Sequence, residues 1–234
     1  MNWTFTPDEF VHVWRETDVD RPPYPLRILE TPGTEHDAET LTAALAERLP
    51  HGGDPDLSAC LRILAEPHTR IVVIGSTDRP GGELRLLAGT IYDRAVLAVQ
   101  EPGPTPEFGD RIRISIGHST KLGRRIVALL PKSPPGKEPA RAAAGYAVRD
   151  EEAAPTAQSA AARIRRLLLK PHAAQGHIRI EPRLDRAVPP APVHYTWIDV
   201  HNDGRYLIRA DDEVRITPAS AEQIAGHLQK RIPR

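Results

Sequence analysis

Apolar residues recur at helical spacing through the first quarter of the chain and at strand spacing directly after it. Phe10, Val13 and Trp14 share one helix face; Thr6 caps that helix, Pro7 fits its first position and Glu9 completes a capping box. Residues 18–37 are rich in Pro, Asp and Glu and predict an extended loop. A second helix fits residues 38–49, stopped by Pro50 and the Gly52-Gly53 pair, and a third fits 55–65, ending before Pro67. The period then shifts. Residues 71–74 predict a short strand, 76–82 a polar Gly/Pro-rich loop, and 83–91, 95–100 and 111–116 further strands. A closing helix over 119–130 ends at Pro131.

The same order recurs in the C-terminal part. Leu64-Ala65-Glu66-Pro67-His68 is echoed by Leu168-Leu169-Lys170-Pro171-His172, each leading into a β-branched strand (71–74 or 177–180). Asp93-Arg94 before Ala95-Val96-Leu97 matches Gly204-Arg205 before Tyr206-Leu207-Ile208. Asp110-Arg111-Ile112-Arg113-Ile114-Ser115 matches Asp212-Glu213-Val214-Arg215-Ile216-Thr217, and both precede an amphipathic helix ending at a proline, Pro131 or Pro233. Neither half has enough helix to cover a strand layer alone. One unit is therefore expected, with halves 1–131 and 160–234 sharing a sheet or core across a pseudo-twofold axis. The spacer between them, 132–159, is Pro/Ala-rich, and Lys132-Ser133-Pro134-Pro135-Gly136-Lys137 is expected to be irregular and mobile.

Composition narrows the class. With 234 residues, 40% of them hydrophobic, the chain can bury a substantial core. Net charge is zero, which argues against a dedicated nucleic-acid binder. The charge is segregated, however: residues 8–47 hold ten acidic and three basic residues, and 111–149 hold nine basic and one acidic. An adaptor for nucleic acid or another protein would use that basic segment, 111–149. Cys60 is the only cysteine, which excludes an intrachain disulfide, and it lies among Leu57, Leu61 and Leu64 where a small apolar residue suits a helix core. No signal-peptide pattern and no apolar run of about 18 residues is visible, so a cytoplasmic protein with no membrane segment is expected.

Motifs for catalysis are missing: there is no H-E-x-x-H, G-x-S-x-G, P-loop or dinucleotide-binding glycine pattern. His172 with His177, and Asp199 with His201, are half-sites for a metal at most; scattered histidines produce such pairs by chance. Gly75-Ser76-Thr77 follows a strand but lacks the helix N-terminus or lysine of a phosphate loop. Glu151-Glu152 lies in the polar spacer, and Arg163, Arg165 and Arg166 read as the wet face of a helix whose apolar side carries Ile164, Leu167 and Leu168. The expectation is a binding protein, not an enzyme, with no cofactor and no metal.

Several short motifs follow one another in the first half: Thr6-Pro7-Asp8-Glu9-Phe10 with Trp14, Pro23-Tyr24-Pro25-Leu26, Asp56-Leu57 leading to Leu61, Leu64-Ala65 and Pro67, and Asp93-Arg94-Ala95-Val96-Leu97-Ala98-Val99. The second half adds Gly176-His177-Ile178, Trp197-Ile198-Asp199 and Asp203-Gly204-Arg205-Tyr206-Leu207. In this order they resemble the EspG family of chaperones for type VII (ESX) secretion substrates. The resemblance covers residues 3–131 and 164–232; the spacer departs from the family's usual Gly/Ser turn and short strand. It implies an α+β fold with a central antiparallel sheet, flanking helices and a quasi-twofold repeat of two similar halves. It also implies a cytosolic chaperone that keeps helical PE–PPE-like substrates, or another helical-hairpin ESX client, soluble for delivery. Such clients would contact the loop between the second and third strands, here Ser76, Thr77, Asp78, Arg79, Gly81 and Gly82, and a bundle of helices near 160–169 and 219–231. Whether the chain self-associates stays open at this level.

Overall fold

The computed structural model describes residues 1–31, 33–150 and 156–232. In chain order the elements are β1 (Asn2–Phe5), α1 (Pro7–Trp14), α2 (Glu35–Arg48), α3 (Pro55–Ala65), β2 (Thr69–Thr77), β3 (Leu84–Ile91), β4 (Arg94–Pro102), β5 (Gly109–His118) and α4 (Leu122–Val127). There follow β6 (Arg141–Ala144), α5 (Gly145–Arg149), α6 (Ala160–Leu168), β7 (His172–Glu181), β8 (Val193–Val200), β9 (Gly204–Ala210), β10 (Glu213–Pro218) and α7 (Ala221–Gln229). The class is α+β, as the sequence implies.

Among the described residues the strands form one antiparallel sheet in the order β1-β5-β4-β3-β2-β7-β8-β9-β10-β6. At its centre β2 pairs with β7 from Arg70 opposite Glu181 to Thr77 opposite Ala174. Outward from that pair, each side runs four strands in chain order and closes on a short strand that precedes them in sequence, β1 or β6.

Alternation along the strands builds two faces. On the first, Ile71 and Val73 of β2, Leu86 and Ala88 of β3, Ile178 and Ile180 of β7, and Tyr195 and Trp197 of β8 form one core under α4 and α7. On the second, Val72, Leu87, Val96 and Ala98 pack beneath Phe10, Val13 and Trp14 of α1 and Leu57, Cys60, Leu61 and Leu64 of α3. A separate cluster on the β8–β9–β10 side of that face joins Ile198, Tyr206, Ile208 and Ile216 to Ile164 and Leu167 of α6. The N-terminal capping box is formed as the motif predicts, with the Thr6 hydroxyl accepting from Glu9 N–H and the Glu9 carboxylate accepting from Thr6 N–H.

Several boundaries differ from those the sequence suggests. Strands β1 and β6 are four residues each, too short for a readable period, and exist because β5 and β10 offer them an edge. Strand β2 continues past Ile74 to Thr77 because β7 pairs with it along that whole length. Helix α2 starts earlier, at Glu35, since the Thr34 hydroxyl caps it through Asp37 N–H. Residues 132–137 hold no helix or strand but are tied down, against the expected mobility. Pro134 O accepts from Arg205 N–H at 2.7 Å, Gly136 N–H donates to Arg205 O at 2.9 Å and Lys137 N–H to Asp203 Oδ1 at 2.7 Å. Those partners are distant in sequence, so local composition cannot report them. Pro233 and Glu151-Glu152 lie outside the described residues.

Arg205 is the tie between the two sides of the chain. Its guanidinium grips Asp199 through two 2.6 Å bonds and reaches Pro131 O at 2.6 Å, with side chains only 2% and 6% exposed for the pair. Replacing one partner leaves a buried charge without compensation, at a cost of about 3–5 kcal/mol. Asp199→Asn is therefore expected to lower unfolding free energy by about 3 kcal/mol or more, and the double variant Asp199→Leu/Arg205→Met to recover much of that loss in urea titrations. At the sheet centre, Gly176 faces Gly75, and a Cβ at Gly176 would lie 2.0 Å from the Trp197 ring and 2.4 Å from Ile74 O. Gly176→Ala is expected to destabilise by about 1–3 kcal/mol, measured the same way, with overpacking as the cause.

Candidate partner-binding surface

The loop nominated from sequence divides between two concavities. Ser76 and Thr77 are not in a loop: they end β2, opposite Gln175 and Ala174 of β7. Beyond them the chain turns tightly. Thr77 N–H donates to Gly82 O at 3.1 Å, Gly82 N–H donates to Arg79 O at 3.2 Å, and Arg79 N–H donates to the Thr77 hydroxyl at 3.3 Å. Gly81 has φ of 68°, a left-handed conformation that disfavours a side chain and accounts for a glycine there. Asp78, Arg79 and Gly81 are exposed, and Gly82 is half-buried.

Asp78 is anchored to the other half of the chain. Its N–H donates to Ala173 O at 3.0 Å, and its Oδ2 lies 3.0 Å from His201 Nε2 in the β8–β9 turn. The Arg79 guanidinium has no ion-pair partner among the described residues and is available at the rim. Thr77, Asp78 and Arg79 thus border an open groove of about 620 Å³ whose other walls include Lys132, Lys137 and His201. Nothing local in the sequence marks those three as neighbours of the loop; His201 arrives because β7, which pairs with β8, stands beside β2, and Lys132 and Lys137 because their segment is bound to Arg205 and Asp203.

Ser76 points the opposite way, into a second groove of about 600 Å³ on the stretch of the second face that α3 and α6 leave uncovered. Its floor holds Ile74, Gln175, His177 and Thr196, and Arg27, Glu83 and Arg85 stand on its walls. His177 Nε2 is 3.0 Å from His194 Nδ1, and the two rings stack 5.2 Å apart. Burial, aided by His194 and by the Arg179 cation, holds the His177 pKa below its ordinary 6.5.

The histidine and aspartate pairs weighed as metal half-sites have partners of their own. Asp199 is committed to Arg205 and His201 to Asp78, so these two do not converge as a metal half-site. His172 lies beside Gln175, apart from His177. No group of three or more potential ligands gathers among the described residues. Cys60 is buried in α3, and burial, with Asp56 and Asp54 nearby, pushes its thiol up to about 11.

The basic segment 111–149 is dispersed over several elements. Arg113 pairs with Glu101 at 2.8 Å, the half-buried Arg125 turns to Ser115, Lys137 Nζ donates to Asn202 O and Arg141 approaches Glu138. The two helices expected to form one bundle, α6 and α7, pack in separate cores on opposite faces of the sheet, and α7 packs against α4 instead. The reason is visible in β8 and β9, where Trp197 and Leu207 face α7 while their neighbours Ile198 and Ile208 face α6.

The EspG family model matches residues 6–230. Among solved structures, the Mycobacterium tuberculosis type VII secretion system chaperone EspG5, in complex with a PE25-PPE41 dimer, has a similar fold. The TM-score is 0.66 at 15% identity, and the match covers 99% of this chain and 95% of that chain. None of the curated proteins matches the sequence. No described helix is long and apolar enough to cross a membrane.

The depressed pKa of His177 sets a pH dependence. Above about 6.5 the folded and unfolded states both leave this ring neutral; as pH falls through 6.5 the unfolded chain takes up the proton first, so stability drops. Urea midpoints are expected to fall between pH 7 and pH 5, with a shallower slope in His177→Gln.

Proposed function

The chain belongs to the EspG family, and we propose that it is a cytosolic chaperone that binds helical PE–PPE-like proteins and keeps them soluble for delivery to a type VII (ESX) secretion system. The family match over residues 6–230 carries this reading, because it spans both halves and the sheet that joins them. The solved EspG5 structure supports it: that protein is a chaperone and was seen holding a PE25-PPE41 dimer.

The physical task is binding without bond-making. A helical hairpin with an apolar tip gains about 25 cal/mol for each Å² of apolar surface removed from water, before association costs are subtracted. The β2–β3 turn supplies the polar complement that fixes where such a tip can sit. Arg79 offers five guanidinium donors at the groove rim, and Asp78, its backbone N–H bonded to Ala173 O, offers a carboxylate held by His201. Ser76, Thr77, Gly81 and Gly82 shape the turn that presents them. We further propose that residues 1–131 and 160–234 are similar halves of one unit. The strand order supports this and extends the second half back to β6 and α5, which stand to β10 as β1 and α1 stand to β5.

Co-expression with helical-hairpin proteins encoded beside this gene, followed by affinity capture and size exclusion, tests the function. A stoichiometric complex that keeps an otherwise insoluble client in solution is the expected result. Neighbours that stay soluble alone and never bind would overturn it. In such a complex, Asp78→Ala/Arg79→Ala is expected to weaken client affinity by about tenfold or more, with the unfolding midpoint unchanged. Wild-type affinity in that variant would remove the turn from the site.

A further inference from the structure

Next to the groove that Thr77, Asp78 and Arg79 border, but sharing no lining residue with it, four cations converge on a small cavity. Arg141 of β6, Arg163 and Arg166 of α6, and Lys170 just beyond α6 line a concavity of about 420 Å³, together with Glu138 and Gln158. The wall therefore carries four positive charges and one negative.

Glu138 is held within this set. Lys170 Nζ lies 2.8 Å from Glu138 Oε1, and Arg141 Nη2 is 3.5 Å from Oε2. Lys170 also comes within 3.8 Å of Asp203, whose carboxylate already accepts from the Tyr206 hydroxyl and from Lys137 N–H. Arg166 donates one bond to Ala157 O at 3.0 Å, and Arg163 has no partner among the described residues. Both arginines are exposed, whereas the Arg141 side chain is only 15% exposed. The first turn of α6 holds no acidic residue, so the partial positive charge of that helix end is not offset there by its own side chains.

Such an arrangement is unfavourable by itself. Like charges in one concavity repel, and a carboxylate is already present without discharging it. Such a cluster favours an anion more highly charged than that carboxylate. Guanidinium groups suit one with several acceptor oxygens, because each can bond two of them side by side. A phosphoryl group carries close to two negative charges near neutral pH and three acceptor oxygens.

We propose that this cavity is a binding site for a phosphoryl group, with Arg163 and Arg166 as its open jaws and Arg141 and Lys170 as its floor. The site lies outside the β2–β3 turn and its groove, so it stands whether or not the chaperone reading does. Its source is a small phosphate ester, free phosphate or a phosphorylated protein side chain, and the probes below separate these.

The test is titration calorimetry of the full chain at low ionic strength with inorganic phosphate, and in parallel with a phosphoserine-containing peptide and its glutamate counterpart. Saturable phosphate binding is expected, weakened about tenfold or more in Arg163→Gln/Arg166→Gln and retained in the control Arg111→Gln/Arg113→Gln. Both pairs are exposed, and matching unfolding midpoints exclude a folding defect. Tighter binding of the phosphopeptide than of phosphate, with no binding of the glutamate form, identifies a modified protein as the source; the reverse order identifies a free or small-molecule phosphate. Absence of saturable binding to either phosphorylated probe, or equal affinity in the two double variants, overturns the proposal.

Discussion

The pairing of β2 with β7 is the constraint on which everything else rests. Strand β2 carries Ile71, Val72 and Val73, apolar on both faces and bounded on one side by β3. Left as an edge, it would present a row of unpaired backbone groups flanked by exposed aliphatic surface, which is both costly and prone to aggregation. Strand β7 has the same problem with Ile178 and Ile180. Pairing them buries both edges at once. The sheet's remaining edges then fall to β1 and β6, which are short and far from the centre, as natural sheets manage their ends.

That central ladder also places the candidate site. Because β2 and β7 run antiparallel, the β2–β3 turn lies beside the start of β7 and the β8–β9 turn. Asp78 can then meet His201, and Lys132 and Lys137 can wall the same groove. The Arg205–Asp199 pair serves the same end from beneath. It holds Pro131 and the segment after it against β9, so the link between the halves becomes a wall of the groove. The candidate groove is thus walled by residues from both sides of the β2–β7 pair.

How much of this the sequence discloses follows from the range of each interaction. Helices α1 and α3 are legible because their signals are local: a capping box at Thr6 and Glu9, a cap at Asp54 before Pro55, and apolar residues at helical spacing. The strand cores are legible for the same reason, through alternation. The recurrence of Leu-x-x-Pro-His and of the later strand–helix run predicts an order of elements, and that order is present. What escapes is set by partners distant in sequence. Strand β6 is Arg141-Ala142-Ala143-Ala144, a string with no strand signature, and it is a strand because β10 lies open beside it. Ser76 and Thr77 read as loop, yet β7 keeps them in the ladder. The family resemblance implies one bundle for α6 and α7; only the alternation of Trp197 and Ile198 decides that the sheet lies between them. The candidate turn itself was legible from its Gly and Pro content, whereas His201 and Lys137, its neighbours in space, were not.

Polar residues in this chain divide into those that hold the fold and those left for a partner, and the division bears on function. Asp199, weighed from sequence with His201 as a metal half-site, is paired with Arg205 in a site only a few per cent exposed, where the charge pair fixes geometry. His177 and His194 meet each other, and Glu9 and Asp54 are engaged in helix caps. Arg79, Arg163 and Arg166 differ: they are exposed, and none forms an ion pair with another described residue. The groups with shifted pKa are spread over both faces of the sheet, with Cys60 in α3, Arg125 in α4, Glu9 and Asp54 at helix caps, His177 in β7 and Tyr206 in β9. Exposed arginines without an ion pair leave charge available to set register and partner choice, the part electrostatics plays in recognition.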